Sequence, residues 1–457
     1  MADMDREHDV SDRSSTGDPY PAPRYAWYVV GVLTLVYIFS FIDRQILSLL
    51  VAPIRTDLHI SDTQISLLSG FSFAIFYVSF GIPVGRIADS KSRTGLIALG
   101  FTAWSAFTAA CGLAGSFVQL AAMRMGVGVG EATLSPAAYS LITDYFPPQR
   151  RAVAQGVYNM GIYIGSGVAL LVGGIVAGAL SGHDEYMLPI IGSVKPWQLV
   201  FLVIGAAGVC VVPIMLTVRE PMRQNVGESG VTSVPLSQVV QYVKRNFATY
   251  TCHNVGIAML SFSSYGINAW MPSYLIRHFH WTPAHVGVVL GTNAAVAGSL
   301  AVFTGGWIAD RLAMRGHQDA YIRVALWSAV LWFPPGIAML LTQSTDVLMV
   351  CLASSTFFGA AAFGIGPASL MQVTPQRMRG QIGAVYLFVV NLIGLGIGPT
   401  AVAMCTDYLF HDDNMVGSSI LVVACAAHLV SAMFLSYGRK PFVRTIAFAK
   451  TWATENA

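Results

Sequence analysis

Twelve long runs of apolar residues dominate this sequence of 457 residues and decide what it can fold into. A helix needs about 20 residues to cross a hydrocarbon core about 30 Å thick, and each run is long enough. Backbone groups in lipid must be paired within the spanning structure, and the sequence lacks the short alternating strands of a membrane barrel. The sequence therefore predicts an all-α membrane protein with twelve transmembrane helices, at residues 27–50, 64–86, 94–113, 116–143, 152–180, 196–217, 248–276, 284–310, 321–342, 346–370, 379–404 and 417–437.

The composition favours the same class and excludes others. Only 11% of the residues are charged, against about 25% in ordinary soluble domains. The net charge of +3, without a long basic block, argues against a nucleic-acid partner. The six cysteines are scattered without a CxxC pair, so we expect buried thiols, no metal site and no cofactor.

The distribution of cations indicates how the chain crosses the bilayer. All but five of the 26 Lys and Arg lie on the side that holds both termini. Arg55, Lys195 and Arg277 lie on the opposite side, and Arg44 and Arg124 lie within spans. The positive-inside tendency therefore places both termini in the cytoplasm. Short outward loops without an N-x-Ser/Thr sequon suit the plasma membrane of a bacterium, its inner membrane.

Polar stretches divide the chain into two halves of six spans each. Residues 236–246 of the stretch between spans six and seven fit either an interfacial helix or a plain tether. We expect a disordered cytoplasmic tail at 1–24, an N-terminal bundle at 25–217, a cytoplasmic linker at 218–247, a C-terminal bundle at 248–437 and a second cytoplasmic tail at 438–457.

The two halves carry the same features in the same order. Gly85-x-x-Ala88-Asp89 recurs 221 residues later as Gly306-x-x-Ala309-Asp310. Gly165-x-Gly167 in span five recurs 229 residues later as Gly394-x-Gly396 in span eleven. Nearly constant spacing of this kind is the signature of an internal repeat. We therefore predict two pseudo-symmetric six-helix bundles, an arrangement that recurs among transporters.

These positions resemble the major facilitator superfamily over essentially the whole chain. Gly85-Arg-Ile-Ala-Asp89-Ser-Lys91-Ser-Arg93 is similar to its loop motif between helices two and three, and Arg124-Met-Gly-Val-Gly128 to its helix-four motif. Finer features resemble the spinster family within it, namely Asp43-Arg44, Gly126-Val-Gly-Val-Gly130-Glu131-Ala132 and Val218-Arg-Glu-Pro221. That resemblance implies a proton-linked exporter of lysolipids or phosphorylated sphingoid bases. The Asp-Arg pair is shared with organic-anion symporters, so it separates these two classes poorly.

Four charged residues lie deep inside the predicted spans: Asp43, Arg44, Arg124 and Glu131. Each costs about 2.5–3.5 kcal/mol at the bilayer centre, so each should be paired or line a wet cavity. Arg124 and Glu131 are two helical turns apart and share one face. Burial favours the neutral form of Glu131 and a nearby arginine its charged form, a balance that suits reversible proton binding. We predict that Glu131 and Asp43 carry proton coupling, and the alternative is a structural ion pair between spans one and four.

Further predictions concern a substrate site and a gate. Arg124, together with Arg44, offers a buried cation to an anionic head group. For Arg44 the alternatives are that it extends to one end of its span, or that it simply pairs with Asp43 or Glu131. The second half contributes apolar and weakly polar side chains to the same cavity, among them Asn268, Trp270, Phe357 and Phe358; plain packing is the alternative for its aromatic residues. A cytoplasmic gate is predicted where a carboxylate can cap a helix of the other half. The residues of this gate are Asp89, Arg93 and, as the weaker counterpart in the second half, Asp310. The alternative is that these residues are solvated loop charges.

Together these features predict a proton-coupled alternating-access transporter of an amphipathic anionic lipid, such as a lysophospholipid or a sphingosine-phosphate-like molecule. The alternative is a proton-linked symporter of small organic anions, and a receptor that binds without transporting stays open. An enzyme is disfavoured because the sequence has no metal-ligand cluster, no nucleotide loop and no serine–histidine–acid set. We expect a monomer whose partners are protons, the lipid-like small molecule and the bilayer.

Overall fold

The computed structural model of the protein describes residues 20–180, 182–189, 191–223 and 234–455. Most of the predicted tail 1–24 and the middle of the predicted linker therefore lie outside the described residues. Ten helical stretches of the described chain are long and apolar enough to cross a membrane. The stretches at 117–145 and Phe247–Phe279, which carry more polar residues, complete a set of twelve. The prediction of an all-α protein with twelve spans is confirmed.

The described residues of the first half form nine α-helices and a small hairpin. Span two is built from α3 and α4, which a π-helical turn at Leu67–Phe71 joins, and span four from α6 and α7. A short antiparallel hairpin of β1 and β2 lies in the loop between spans five and six. The elements are α1 Pro23–Leu49, α2 Val51–Leu58, α3 Asp62–Ser66, α4 Ser72–Ser90, α5 Arg93–Cys111, α6 Phe117–Glu131, α7 Leu134–Tyr145, α8 Pro148–Leu180, β1 Tyr186–Leu188, β2 Gly192–Val194 and α9 Pro196–Leu216.

The second half repeats this plan with more interruptions. π-helical turns at Ala294–Gly298, Leu392–Ile397 and Cys405–Phe410 break spans eight and eleven, and the first of them matches the turn in span two. The α-helices are α10 Leu236–Arg245, α11 Phe247–Phe279, α12 Pro283–Asn293, α13 Ser299–Met314, α14 Ala320–Leu331, α15 Phe333–Leu341, α16 Thr345–Ala360, α17 Ile365–Gln372, α18 Arg379–Asn391, α19 Gly398–Met404 and α20 Val416–Glu455, with 3-10 turns at Gln376–Met378 and Asp413–Met415.

The structure defines the linker and the end of the last span more closely than the sequence does. Residues 236–245 form the helix α10, which packs Val239 and Tyr242 into the core, so the segment is a packed helix and not a plain tether. Its position at the membrane interface stays a prediction. The last helix continues through Gly438 and Pro441 to Glu455, beyond the predicted end of span twelve at 437. It continues because Phe442 is fully buried, and packing outweighs the local helix-breaking tendency.

The two halves approach most closely along α8 and α12, where glycines remove the side chains that would separate them. A Cβ atom on Gly287 would lie 2.1 Å from the carbonyl oxygen of Leu170, and one on Gly291 would lie 2.6 Å from that of Gly167. Close backbone approach at small residues is how helices associate in membranes, where lipid gives them no hydrophobic drive to associate.

We predict that Gly287→Ala destabilises the protein by about 1–3 kcal/mol, because the new methyl group would force α8 and α12 apart. Gly306→Ala is the matched control, since a Cβ on this glycine of the same span would meet nothing within 4 Å. The control should be neutral or slightly stabilising, as alanine is the better helix former. Thermal unfolding in detergent measures both, and equal effects of the two variants would contradict the packing argument.

Candidate functional site

Glu131 is the centre of a buried charge cluster between spans one and four. It is the last residue of α6 and is 1% exposed. Its Oε2 atom accepts hydrogen bonds from Arg44 Nε at 2.8 Å and from Ser40 Oγ at 2.7 Å, and it lies 2.7 Å from Arg44 Nη2. Its second oxygen, Oε1, has no hydrogen-bond partner among the described residues. The carboxylate therefore has all of its contacts with Ser40 and Arg44 on one oxygen, whereas the other oxygen is buried without a hydrogen bond among the described residues.

Arg44 is held among aromatic rings. Its guanidinium carbon lies 4.8 Å from the ring centroids of both Phe73 and Tyr77, and 5.1 Å from that of Phe41. Such contacts replace part of the hydration that a cation loses on burial. The Arg44 side chain keeps 11% exposure, whereas Glu131 has none. Arg44 is thus the partly exposed member of the pair.

Arg124 has a different environment from the one that the sequence suggested. It is fully buried, and it donates from Nη1 to the backbone carbonyl of Asp43 at 3.1 Å and from Nε to that of Leu68 at 3.4 Å. Leu68 belongs to the π-helical turn of span two. Arg124 therefore ties spans one, two and four together through backbone oxygens. The arginine that pairs with Glu131 is Arg44.

Asp43 lies next to this cluster on α1 and is 2% exposed. Its Oδ1 atom has no hydrogen-bond partner among the described residues, and neither has the Nη2 atom of Arg124. The structure thus buries both acids named from the sequence, each with one unpaired oxygen. Buried polar atoms without partners are uncommon in native proteins and call for an explanation such as a bound proton, ion or water.

A group of tyrosines that the sequence did not single out extends from the cluster, beginning at Tyr37, whose ring meets Phe41 at 5.3 Å. Tyr37 stacks on Tyr158 with ring centroids 4.6 Å apart, and Tyr139 meets Tyr158 edge-on at 5.5 Å. The hydroxyl of Tyr139 donates to Asn159 Oδ1 at 2.7 Å. Tyrosine is common at membrane interfaces, so only its position well inside spans one, four and five could have drawn attention to it.

The second-half residues named for the substrate site occupy two places. Phe357 and Phe358 meet edge-on at 5.6 Å, and Phe357 packs near Tyr163 of the first half. Asn268 is exposed. Trp270 is buried, donates to the carbonyl of Pro399 at 2.9 Å and lies 6.0 Å from the Arg277 guanidinium. Trp270 thus packs beside the ionic network described next, and its role in substrate binding stays a prediction.

An ionic network joins the halves on the side opposite the termini, here called the far side. Arg277 of α11 donates from both Nη atoms to the two oxygens of Asp62, at 2.8 and 2.9 Å. Arg55 also reaches Asp62, at 3.0 Å, and Asp413 of the second half, at 2.7 Å. Asp407 accepts from the backbone of α3 at 2.7 Å. Both halves supply each sign of charge, and the far side is therefore closed in this structure.

On the side that holds the termini, the terminal side, Arg93 and Asp310 each bond within their own half. Arg93 is buried, pairs with Asp144 and donates to Glu220 at 2.7 Å. Burial raises the pKa of Glu220, but hydrogen bonds from the Thr94 N–H and Arg93 outweigh it and hold that pKa below its usual range. Asp310 accepts from Tyr321 at 2.5 Å in the second half. The Asp89 side chain lies outside the described residues, so its predicted role as a gate stays a prediction.

Comparison with known proteins is consistent with this arrangement. A structure of a bacterial homologue of the human lysosomal transporter spinster, inward-facing and occupied, superimposes with a TM-score of 0.71 at 27% identity, covering 95% of this chain and 96% of that one. An MFS-type efflux pump of Mycolicibacterium smegmatis is 29% identical over 90% of this chain and 92% of its own length. A hexuronate transporter of Bacillus subtilis is 26% identical over 83% and 87%.

The family model of the Major Facilitator Superfamily matches residues 33–399, and again residues 254–446 of the second half. Together with the likeness to the spinster homologue, this confirms the family resemblance and the two-bundle fold inferred from the motifs. The chain therefore belongs to the Major Facilitator Superfamily, as an integral membrane secondary transporter and not an enzyme.

Proposed function

We propose that this transporter couples protons to the alternating-access movement of an amphipathic organic anion. The leading substrate class is a lipid with one anionic head and one long alkyl tail, such as a lysophospholipid or a sphingosine-phosphate-like molecule. The observation that carries the proposal is the position of Arg44, which is bound to Glu131 on one side and is partly exposed on the other.

Arg44 needs one negative partner, because an unpaired charge at this depth is costly. In the described state that partner is the Glu131 carboxylate. A proton on Glu131 would neutralise it and release the guanidinium for the head group of the substrate. Proton binding and anion binding then favour each other. The proton frees Arg44 for the anion, and the anion replaces the carboxylate as the negative partner of Arg44. Asp43, with its unpaired oxygen, is the second acid for such a proton.

The number of accessible cations argues for a substrate with a single anionic head. Arg124 is enclosed and already bound to two carbonyl groups, which leaves Arg44 as the cation of this cluster that a substrate can reach. One such contact contributes modestly, whereas each methylene removed from water contributes about 0.8 kcal/mol. Phe357 and Phe358 supply apolar surface in the second half. An alkyl tail is therefore the stronger source of affinity.

Small organic anions are the second candidate. They are favoured by the similarity to a hexuronate transporter and by the hydrogen-bonding groups of Tyr139 and Asn159 beside the cluster. We further propose a monomer in a bacterial inner membrane with both termini in the cytoplasm, divided at residues 25–217 and 248–437 into two bundles. The far side, closed here by Arg277 and Asp62, is then the outward side.

We predict that Glu131→Gln abolishes the pH dependence of substrate binding and transport. In the unmodified protein, affinity for the anion should rise as the pH falls, since protonation releases Arg44. Glutamine mimics the protonated acid, so the variant should bind with nearly constant affinity. The measurement is substrate binding in detergent across a pH series, followed by uptake in liposomes. Asp346→Asn, at an exposed acid, is the control and should keep the normal profile. An unchanged profile in Glu131→Gln would refute the assignment.

We predict that the length of the alkyl tail governs the affinity for the substrate and that Arg44 binds its anionic head group. Across alkyl chains with a fixed anionic head, each added methylene should tighten binding about threefold to fourfold until the cavity is filled. Arg44→Gln should weaken all members by a similar factor without changing the slope. Arg311→Gln is the control, since Arg311 also lies over an aromatic ring but on the terminal side. Competition binding decides between candidates: affinity that ignores tail length, with tight binding of hexuronate, would favour the small-anion alternative.

We predict that Arg277→Gln shifts the population toward a state open on the far side. The variant loses a bidentate ion pair between the halves, the strongest kind of carboxylate contact. Spin-label distances across the far side should lengthen in a larger fraction of molecules. Lys195→Gln is the control, because Lys195 pairs with Glu185 on the same side but within one half. Indistinguishable distance distributions for the two variants would show that this pair does not hold the far side closed.

A further inference from the structure

One face of α20 is exposed along nearly its whole length, and its chemistry changes along the helix. The exposed positions recur every three or four residues, at Val422, Ala426, Leu429, Met433, Tyr437, Lys440 and Arg444. Leu429 is 56% exposed, Met433 62% and Tyr437 73%. The order along the face is thus apolar residues, then a tyrosine, then two cations. This order matches the depth profile of a bilayer leaflet.

The spacing places the two cations at the level of lipid head groups. Aromatic residues such as Tyr437 concentrate where the hydrocarbon core meets the head groups. With a rise of about 1.5 Å per residue, Lys440 and Arg444 follow Tyr437 by about 4.5 and 10 Å toward the terminal side. Their neighbour Arg439 is turned away from this face, because it donates to Asp319 at 2.7 Å. Lys440 and Arg444 therefore extend the lipid-facing stripe.

The other face of this segment is fixed to the linker helix α10. Phe448 stacks on Tyr242 with ring centroids 5.6 Å apart, and Trp452 meets the same ring edge-on at 5.9 Å. A hydrogen bond of 2.7 Å between the hydroxyls of Thr445 and Thr249 also joins this segment to α11. These contacts hold the end of α20 as a rigid helix, so the two cations keep a fixed spacing and direction. Less side-chain and backbone freedom is then lost when a ligand binds them.

We infer that Lys440 and Arg444, below Tyr437, bind the head group of an anionic phospholipid in the leaflet on the terminal side. Charge complementarity selects an anionic head, and the continuous apolar stripe above it accommodates the acyl chains. A soluble acidic protein would use the cations but not the stripe, so the lipid is the better fit. This lipid stays at the outer surface of the second half and is distinct from the transported substrate proposed above.

The test is lipid retention by the full-length protein. The purified transporter is titrated with phosphatidylglycerol or phosphatidylcholine in detergent, and bound lipid is counted by native mass spectrometry. We expect a preference for phosphatidylglycerol that Lys440→Gln with Arg444→Gln weakens about 25-fold, since each cation near an anionic surface contributes about fivefold. The charge-preserving pair Lys440→Arg with Arg444→Lys should retain it.

Lys91→Gln with Arg150→Gln is the matched control, because it removes the same charge from exposed positions of the first half on the terminal side. An equal loss in this control would show a diffuse charge effect and overturn the site. An unchanged preference in the Lys440 and Arg444 double variant would also overturn it. Each single variant should show an intermediate loss, which tests the site independently of the folding of the double variant. Failure here leaves the substrate proposal untouched, since the two experiments use different residues and ligands.

Discussion

The ion pair between Arg44 and Glu131 is the interaction on which the rest of this structure depends. Two opposite charges at this depth are tolerated only because every part of their surroundings reduces the cost of burial. Ser40 adds a hydrogen bond to Glu131, and aromatic rings enclose the guanidinium of Arg44. One oxygen of the Glu131 carboxylate is left buried without a hydrogen bond among the described residues, and a small part of Arg44 stays exposed. The proposed coupling would place the proton on that carboxylate and the anion on that guanidinium.

The π-helical turns that interrupt the spans provide backbone contacts for this charge cluster. Arg124 uses the carbonyl of Leu68, in a π-helical turn, to bind span four to span two. Such turns release backbone groups from the regular helical pattern and occur frequently at functional positions. The equivalent turn in span eight, at Ala294–Gly298, lies beside the α8–α12 contact between the halves. The same local device therefore supports the charge cluster in one half and the contact surface in the other.

Hydrophobicity, helical spacing and recurring motifs predict a large part of this fold from the sequence. The spans and the buried charges followed from the cost of placing polar groups in lipid, and the repeat followed from glycine motifs that recur at nearly constant spacing. An ion pair between spans one and four was among the alternatives, but spacing could not select Arg44 over Arg124 as the partner of Glu131. Arg124 shares the helix face of Glu131, and spacing within one helix says nothing about the rotation of its neighbour. The extension of α20 was missed for a related reason: Gly438 and Pro441 favour a helix end locally, and the burial of Phe442 overrides them. Contacts between elements decide what local patterns leave open.

The ion pairs also distinguish the contacts within each half from the contacts between the halves, which must change when the halves move. On the terminal side Arg93 with Glu220, and Asp319 with Arg439, join the start of one helix to the segment at the end of the same half. They occupy equivalent places with the charges exchanged, so each half is held together independently. The contacts between halves are of another kind: glycine surfaces that can slide or separate, and a far-side network that includes the half-exposed Asp413. Asp62 of that network is fully buried and held by both Arg55 and Arg277, so opening the far side breaks a buried ion pair as well as the more exposed contact of Arg55 with Asp413. The pairs within each half can persist while the two halves move, and the pairs between the halves must break, which is what rigid-body alternation requires.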